Sequence, residues 1–186
     1  AFRRNIVSAQ YLSTVADPYA DRTYGSRFVF GDLGQTETSA TTRISVATSP
    51  RTSLQVYLQS LISAADYGAI KEVYAPRTYD FLRYGIDAGT ITPSGNRYVI
   101  DPDAEGPAAA FSIAQPDFNL TSLRLNAVFR WEFRPGSSLF VVWTQQRQSR
   151  LLSGDFDFSS GLSRVYTSPA DDVFLVKLSY WFGGRR

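Results

Sequence analysis

Alternation between apolar and polar side chains is the feature that most constrains how this chain can fold. In residues 36–48, Ala40, Ile44 and Val46 alternate with polar residues, and the same pattern returns in residues 53–64. Because successive side chains of a β-strand point to opposite faces of a sheet, this period of two indicates strands with one apolar and one polar face. No segment of about eleven residues keeps apolar positions at helical spacing. The sequence therefore predicts an all-β, antiparallel fold.

Five strands are predicted from this pattern. They are joined by two tight turns, at residues 49–52 and 134–137, and by two long connections. An antiparallel meander places both tight turns at one end of the sheet and both long connections at the other. The predicted strands cover about residues 36–48, 53–64, 119–133, 138–147 and 173–182, and the long connections cover about residues 65–117 and 151–171.

The second hairpin also predicts which side chains share a face. We expect Arg134 to pair with Ser137 across the turn. Simple alternation then places Phe140 and Val142 on the same face as Phe129. This register decides which apolar side chains of the two strands form one surface.

Short turns at one end and long loops at the other are typical of bacterial outer-membrane barrels, whose strands cross the bilayer with about nine to eleven residues. Each predicted strand is about long enough to do so. Aromatic residues are expected near the tight turns, since their rings lie at the boundary between lipid and water. Those predicted there are Trp131, Phe133, Tyr180, Trp181 and Phe182. We therefore expect an antiparallel outer-membrane β-barrel, although the alternation fits a soluble β-sandwich or a lipocalin-like barrel equally well.

The number of strands limits how such a barrel is completed. Single-chain bacterial barrels have an even number of strands, at least about eight, and an unpaired strand edge in lipid is costly. Residues 1–186 supply the five predicted strands and one or two less distinct ones. They are therefore expected to form the C-terminal strands of a larger barrel, or a wall that other chains complete. The absence of Met, and hence of a translation start, fits that expectation.

Composition excludes several functional classes. The chain has no Cys and no His, so it lacks disulfides, thiolate nucleophiles, and the commonest general base and transition-metal ligand. A net charge of +2 gives no electrostatic case for nucleic-acid binding. The sequence also has no run of about 18 apolar residues, which a membrane-spanning helix needs. We therefore expect neither an enzyme nor a nucleic-acid-binding protein.

Three carboxylates at alternate positions of the first long connection are a candidate cation site. Asp101, Asp103 and Glu105 could supply oxygen ligands to calcium, which prefers carboxylates. The glycine and the distal Glu of an EF-hand loop are missing, so a solvated acidic turn explains the same residues. Asp155 and Asp157 in the second connection raise the same alternatives, a bound cation or ligand and a solvated loop. No other cofactor is expected.

The polar faces of the predicted strands carry charged side chains. In a barrel these side chains would point into the lumen, where they could select anions. They could equally form a ladder of cross-strand salt bridges that fills and stiffens a closed lumen. The predicted lumen-facing residues are Arg43, Arg124, Arg130, Glu132 and Lys177.

Several stretches of the chain, in a fixed order, resemble one bacterial family. They are residues 10–18 (QYLSTVADP), 24–30 (YGSRFVF), 53–59 (SLQVYLQ), 75–81 (APRTYDF), 116–119 (PDFN), 126–137 (NAVFRWEFRPGS) and 173–181 (VFLVKLSYW). Together they resemble the C-terminal domain of a large family of unknown function. Its longer members carry an N-terminal carbohydrate-binding domain of the family-nine type, followed by a predicted outer-membrane barrel. None of these stretches lies in the carbohydrate-binding domain, and the family has no established catalytic residues, so neither role is carried over to a residue of this chain.

The pattern and the resemblance together imply a protein of the bacterial outer membrane. The final strand resembles the signal read by the barrel-assembly machinery, with Lys177, Ser179, Tyr180 and Phe182 at matching positions, although four residues follow Phe182. Outer-membrane lipid, that machinery during biogenesis and other envelope protein chains are the expected partners. The expected function is a membrane-embedded scaffold or anchor. A solute channel with an Arg-lined lumen and a soluble, glycan-binding β-sandwich are the alternatives.

Overall fold

Most of the chain is β-structure. The computed structural model describes residues 1–183, in which β-strands are accompanied by one short α-helix and a 3₁₀ turn at Asp21–Thr23. The predicted all-β, antiparallel fold is confirmed. In chain order the elements are β1 (Phe2–Ala16), β2 (Ser26–Ser49), β3 (Thr52–Val73), β4 (Phe81–Arg83), β5 (Thr90–Ser94), β6 (Arg97–Asp101), β7 (Phe111–Ala114), β8 (Phe118–Arg134), β9 (Ser137–Leu151), α1 (Phe158–Thr167) and β10 (Ala170–Ser179).

The long strands form one antiparallel sheet, called the large sheet below. Its order is β1-β2-β3-β8-β9-β10, and β4 pairs with the end of β3. The strands β5, β6 and β7 form a separate three-stranded sheet. Within residues 1–183 neither sheet closes into a barrel, because β1 and β10 lie at opposite edges of the large sheet and do not pair with each other. The closed barrel therefore stays a prediction.

The observed long strands extend beyond the predicted ones. The strands predicted at 36–48 and 53–64 are the halves of β2 and β3 that lie next to the first tight turn, and these strands have 24 and 22 residues. Extra residues in β1 and in the other half of β3 interrupt the alternation, so those parts are not predicted as strands. Residues 27–33, which fit either a separate strand or an extension of the strand that follows, form the extension in β2. At the end of the chain β10 stops at Ser179, and residues 180–182 lie beyond the strand.

The two predicted long connections contain folded elements. Residues 65–117 hold the end of β3, the short strand β4 and the three-stranded sheet, and residues 151–171 hold α1. Each of the short strands has only three to five residues, which is too few for an alternating pattern to stand out.

Each tight turn is accompanied by a β-bulge. In the second hairpin Arg134 pairs with Ser137, as predicted, but the next pair is Glu132 with Ser138. Phe133 is therefore an extra residue on one strand, without a partner on the other. The first hairpin has the same irregularity next to its turn.

This bulge corrects the predicted faces of the second hairpin. Beyond the bulge, Phe129 pairs with Val141 and Arg130 pairs with Phe140. The expectation that Phe140 and Val142 share the face of Phe129 is wrong, because the extra residue shifts the alternation by one position.

The buried core lies at the end of the large sheet that is remote from the tight turns, called the loop end below. Val29 and Ile70 of the large sheet cluster there with Tyr84 and with Ile100 and Ile113 of the three-stranded sheet. One face of the large sheet is therefore covered by protein at the loop end.

The helix α1 covers the opposite face at the same end. Asp157 caps the helix by accepting hydrogen bonds from the backbone N–H groups of Ser159 and Ser160. Gly161 packs against Ile62 of β3, and Val165 is buried. At the loop end the large sheet thus has protein on both faces.

The segment that forms α1 is predicted as part of a long connection, although its sequence carries the signal of a helix. With 10 residues the helix is too short for helical spacing to stand out in the sequence. Its apolar side shows the spacing of an amphipathic helix at Phe158, Gly161, Leu162, Val165 and Tyr166. Over residues 1–183, no helix has the length and apolar character that crossing a membrane requires.

Replacing Gly161 tests how closely α1 packs on the sheet. A Cβ at this position would lie 2.9 Å from Cγ2 of Ile62, so one of the two must move. We expect Gly161→Val to lower the free energy of unfolding by about 1–3 kcal/mol. Ser163→Val is the matched control, because it introduces the same side chain on the exposed side of the helix. Urea titration followed by Trp fluorescence measures both, and equal losses would contradict the close packing.

Candidate functional site

One face of the large sheet is a continuous apolar surface near the tight turns, called the apolar band below. The register places Val46, Leu54, Phe129, Val141 and Val176 side by side in one row across five strands. The row from Ile44 to Phe174 is also apolar, and the row on the other side is apolar on β8, β9 and β10. The whole band comprises Ile44, Val46, Leu54, Val56, Leu58, Leu123, Leu125, Ala127, Phe129, Trp131, Leu139, Val141, Trp143, Phe174, Val176 and Leu178.

The apolar band is exposed or half-buried in the described part of the chain, apart from Leu123 at its loop end, which is buried. Phe174 and Val176 of β10 are 69% and 67% exposed, and Ile44 and Val46 of β2 are exposed as well. Soluble monomers rarely expose a contiguous apolar surface of this extent, and such surfaces mark contacts with membranes or other proteins. The band is therefore the strongest candidate for a functional surface.

The five predicted interface aromatics come together beside the tight turns and form what we call the aromatic border. The rings of Trp131 and Phe133 are 5.8 Å apart, those of Phe133 and Tyr180 are 6.4 Å apart, and those of Tyr180 and Phe182 are 4.5 Å apart. Trp181 lies over the turn, where its backbone N–H donates to Oγ of Ser137 at 2.9 Å. The border thus lies along one end of the apolar band.

The five predicted lumen-facing residues share the face of the large sheet opposite the apolar band. Arg130 forms an ion pair with Glu132, with 3.1 Å between Nη2 and Oε2. The guanidinium of Arg43 lies 5.2 Å from the ring centre of Tyr57. Within residues 1–183, Arg124 and Lys177 take part in no ion pair. The five predicted lumen-facing residues therefore form one ion pair and not a continuous ladder of ion pairs.

A buried ionic network at the loop end was not found by sequence reasoning. Nη1 of Arg27 donates to both carboxylate oxygens of Glu72, at 2.7 and 2.9 Å, and Nε of Arg27 donates to Asp17. The Tyr84 hydroxyl donates to Glu72 at 2.9 Å. These residues are far apart in the sequence and match no local motif, so only the fold reveals them. The network joins β2 and β3 to the loop before β2 and to the segment after β4.

Burial and pairing act in opposite directions on these groups, which lie outside the apolar band. Burial alone raises the pKa of Asp17, but the hydrogen bonds from Arg27 and from the backbone N–H of Tyr19 outweigh it and lower the pKa. Burial likewise favours loss of the proton from Arg27, yet Asp17 and Glu72 raise its pKa above the ordinary value. The pKa of Tyr84 is raised by burial and by the charge of Glu72, so its hydroxyl remains a donor.

The three carboxylates proposed for calcium do not converge on a common point. Oδ1 of Asp101 accepts from the backbone N–H groups of Asp103 and Ala104, and Oδ2 of Asp103 accepts from Ala108. Among the described residues no three acidic side chains are grouped so that they could hold a metal ion. Asp101 and Asp103 instead shape the turn that carries them.

Removing Arg27 tests the buried network. We expect Arg27→Met to lower the free energy of unfolding by about 3–5 kcal/mol, because two carboxylates stay buried without their cation. Neutralising one of them in the double variant with Glu72→Gln recovers part of the loss. Arg83→Met, which breaks the exposed ion pair with Asp87, is the control and has little effect. Urea titration gives the free energy of unfolding of the wild type and of the three variants. A loss of stability in Arg27→Met no greater than that in Arg83→Met would rule out a stabilising network.

The pH dependence of α1 follows from its N-cap. Hydrogen bonds from the hydroxyls of Ser160 and Ser159 and from their backbone N–H groups lower the pKa of Asp157 from 3.8 to about 2. The pKa of Asp157 is lower in the folded state than in the unfolded state. The ionised cap therefore stabilises the protein fully at pH values above the ordinary pKa of 3.8, and this stabilisation is lost as the pH falls towards 2. Asp157→Asn keeps an N-cap oxygen without this titration. We expect the difference between the urea midpoints of the wild type and the Asp157→Asn variant to shrink as the pH is lowered from about 4 to about 2. A difference that stays constant over this pH range would exclude a stabilising, ionised cap.

Comparison of the sequence with known protein families identifies the family of this chain. A family model described as a domain of unknown function (DUF5916) matches residues 87–183. This match covers the three-stranded sheet, β8, β9, α1 and β10. No curated protein and no solved structure matches the chain. Because the family model matches more than half of its residues, the chain belongs to the DUF5916 family of domains of unknown function.

Proposed function

We propose that the large sheet is part of the wall of a bacterial outer-membrane β-barrel and serves as a membrane-embedded scaffold or anchor. The observation that carries this proposal is the exposed apolar band, whose two rows from Val46 to Val176 and from Ile44 to Phe174 cross five strands without a charged residue. In this arrangement the band faces lipid. The aromatic border lies at the membrane–water boundary on the side of the tight turns, where Trp and Tyr rings have both an apolar and a polar environment.

The height of the band on β8 supports a membrane location. The band there runs from Leu123 to Trp131. At about 3.3 Å per residue this is about 26 Å along the strand, or about 20 Å of height at a tilt of about 40°. The lipid-facing band of outer-membrane barrels is about 25 Å tall. On β3, β9 and β10 the band covers five residues, or about 10 Å of height, so β8 is the strand that approaches the full height.

The edges of the large sheet require further strands if the wall lies in lipid. β1 and β10 each have one side without a partner strand in residues 1–183. Backbone N–H and C=O groups without hydrogen bonds are costly in hydrocarbon, so a barrel wall must pair both edges. We propose that additional strands of a longer chain, or other envelope proteins, supply these pairs, and that the barrel-assembly machinery inserts the wall.

The covered opposite face favours a scaffold over an open channel. In the proposed barrel this face borders the lumen, and at the loop end the three-stranded sheet packs on it through Ile100 and Ile113. A side of the lumen occupied by a folded sheet leaves less room for a solute. The Arg-lined channel is therefore the second candidate, and conductance in a planar bilayer would decide for it.

Adjacent valines of β9 provide a matched test of the membrane location. Val141 lies in the apolar band, whereas Val142 lies on the opposite face, and both are partly buried. We expect Val141→Arg to reduce assembly into outer membranes, because an arginine facing lipid costs about 2–4 kcal/mol at the bilayer midplane and less towards the aromatic border, which is one row away. Val142→Arg should assemble.

The measurement is the amount of each variant that remains in the outer-membrane fraction after carbonate extraction. Wild-type protein processed in parallel gives the reference amount. Equal recovery of the two variants, or wild-type protein that stays monomeric in buffer without detergent, would contradict the proposed membrane wall and favour the soluble β-sandwich.

A further inference from the structure

The helix α1 has an exposed apolar stripe in addition to the side that packs on the sheet. Gly161 and Val165 face the sheet, and Val165 is buried. At about 100° per residue, Phe158, Leu162 and Tyr166 form a second stripe along one flank of the helix. Phe158 and Tyr166 on this flank are 50% and 59% exposed. A solvated helix would not need apolar side chains there.

Contacts of α1 define the direction in which this flank points. Gly161 lies on Ile62 of β3, and the carbonyl groups of Tyr166 and Ser168 accept hydrogen bonds from Arg147 of β9. The helix therefore runs across the strands, and its two flanks face along them. Arg164, on the polar flank, donates to Oδ1 of Asn119 at the loop end of β8. The apolar flank consequently points the other way, towards the apolar band.

The position of α1 coincides with the end of the apolar band. On β9 and β10 the band gives way to Gln145, Arg147 and Asp172, on the same face. Trp143 bridges this change, since its indole N–H donates to Oδ1 of Asp172 at 2.7 Å. The charge of Arg147 is met by carbonyl groups at the C-terminal end of α1, where the helix dipole favours a cation. The helix thus lies along the polar limit of the band, opposite the aromatic border.

We propose that α1 lies in the membrane–water interface on the outer side of the wall, with Phe158, Leu162 and Tyr166 in contact with lipid. This inference rests on the proposed function, because it takes the apolar band as the lipid-facing surface. Amphipathic helices bury an apolar side of this kind at the boundary between headgroups and acyl chains. The neutral hydroxyls on the other flank, from Ser159 to Thr167, face the aqueous phase.

Site-directed spin labelling tests this position, and the chain suits it because it contains no Cys. Single-cysteine variants are assembled into outer membranes together with the strands that complete the wall, and the isolated membranes are labelled with a nitroxide. Tyr166→Cys reports the apolar flank, and Ser163→Cys reports the polar side of the same helix. Val176→Cys and Lys177→Cys, neighbours on β10, report the apolar band and the opposite face. Accessibility of each label to oxygen, which concentrates in lipid, is compared with its accessibility to a water-soluble nickel complex.

We expect the oxygen-to-nickel ratio at 166 to exceed that at 163 several-fold, and to lie below the ratio at 176. If the ratio at 176 exceeds that at 177 while 166 and 163 are equal, the helix is not interfacial although the wall is in the membrane. The same conclusion follows if 166 is shielded from both reagents, which indicates a protein partner on this flank. Equal, water-like ratios at 176 and 177 would overturn the proposed membrane wall itself. Recovery of each variant in the outer-membrane fraction after carbonate extraction, compared with that of the unlabelled protein, ensures that only assembled protein is compared.

Discussion

The hydrogen-bonded register of the large sheet is the constraint on which its surfaces depend. Because side chains alternate with a period of two, a shift of one strand by a single position would exchange its two faces. The extra residue Phe133 sets the register of the second hairpin, and Gly136, with φ of +77°, allows the turn beside it. As a result Val141 and Trp143 join the apolar band, and the band is continuous from β2 to β10. A property of two or three backbone positions thus decides the character of a whole surface.

The two ends of the large sheet are stabilised by different means. At the loop end a core around Val29 and Ile100 and the ionic network of Arg27 hold both faces within the chain itself. Near the tight turns the described residues provide neither a core nor a cover, and the apolar side chains of the band remain exposed. Burial of apolar surface is the main favourable term in folding, at roughly 25 cal/mol per Å², so this half gains its stability only from what covers it. The cover that we propose is lipid on one side, which would suit a band of limited height with aromatic side chains along its edge.

The parts of the fold that could be predicted are those that local alternation encodes. Ile44, Leu54 and Phe129 each lie in an uninterrupted pattern, and their strands, their order and the two tight turns follow from it. Bulges are not encoded in this way, so the faces of β9 and the full length of β3 required the structure. The interface aromatics were predictable because they are close to the turns in sequence. The partners of Arg27 were not, since Asp17 and Glu72 meet only when distant segments fold together.

The opposite face near β10 bears on the choice between a scaffold and a channel. Lys177 is paired with Phe140, and the next pair on this face is Leu175 with Val142. Both faces of β10 are therefore largely apolar, and Leu175 is exposed like the residues of the band. A water-filled lumen is lined by polar side chains, and an exposed apolar lining there would be unfavourable. Contact with another protein segment would bury Leu175 and Val142 and leave Lys177 at its margin, which agrees better with the proposed scaffold than with an open pore.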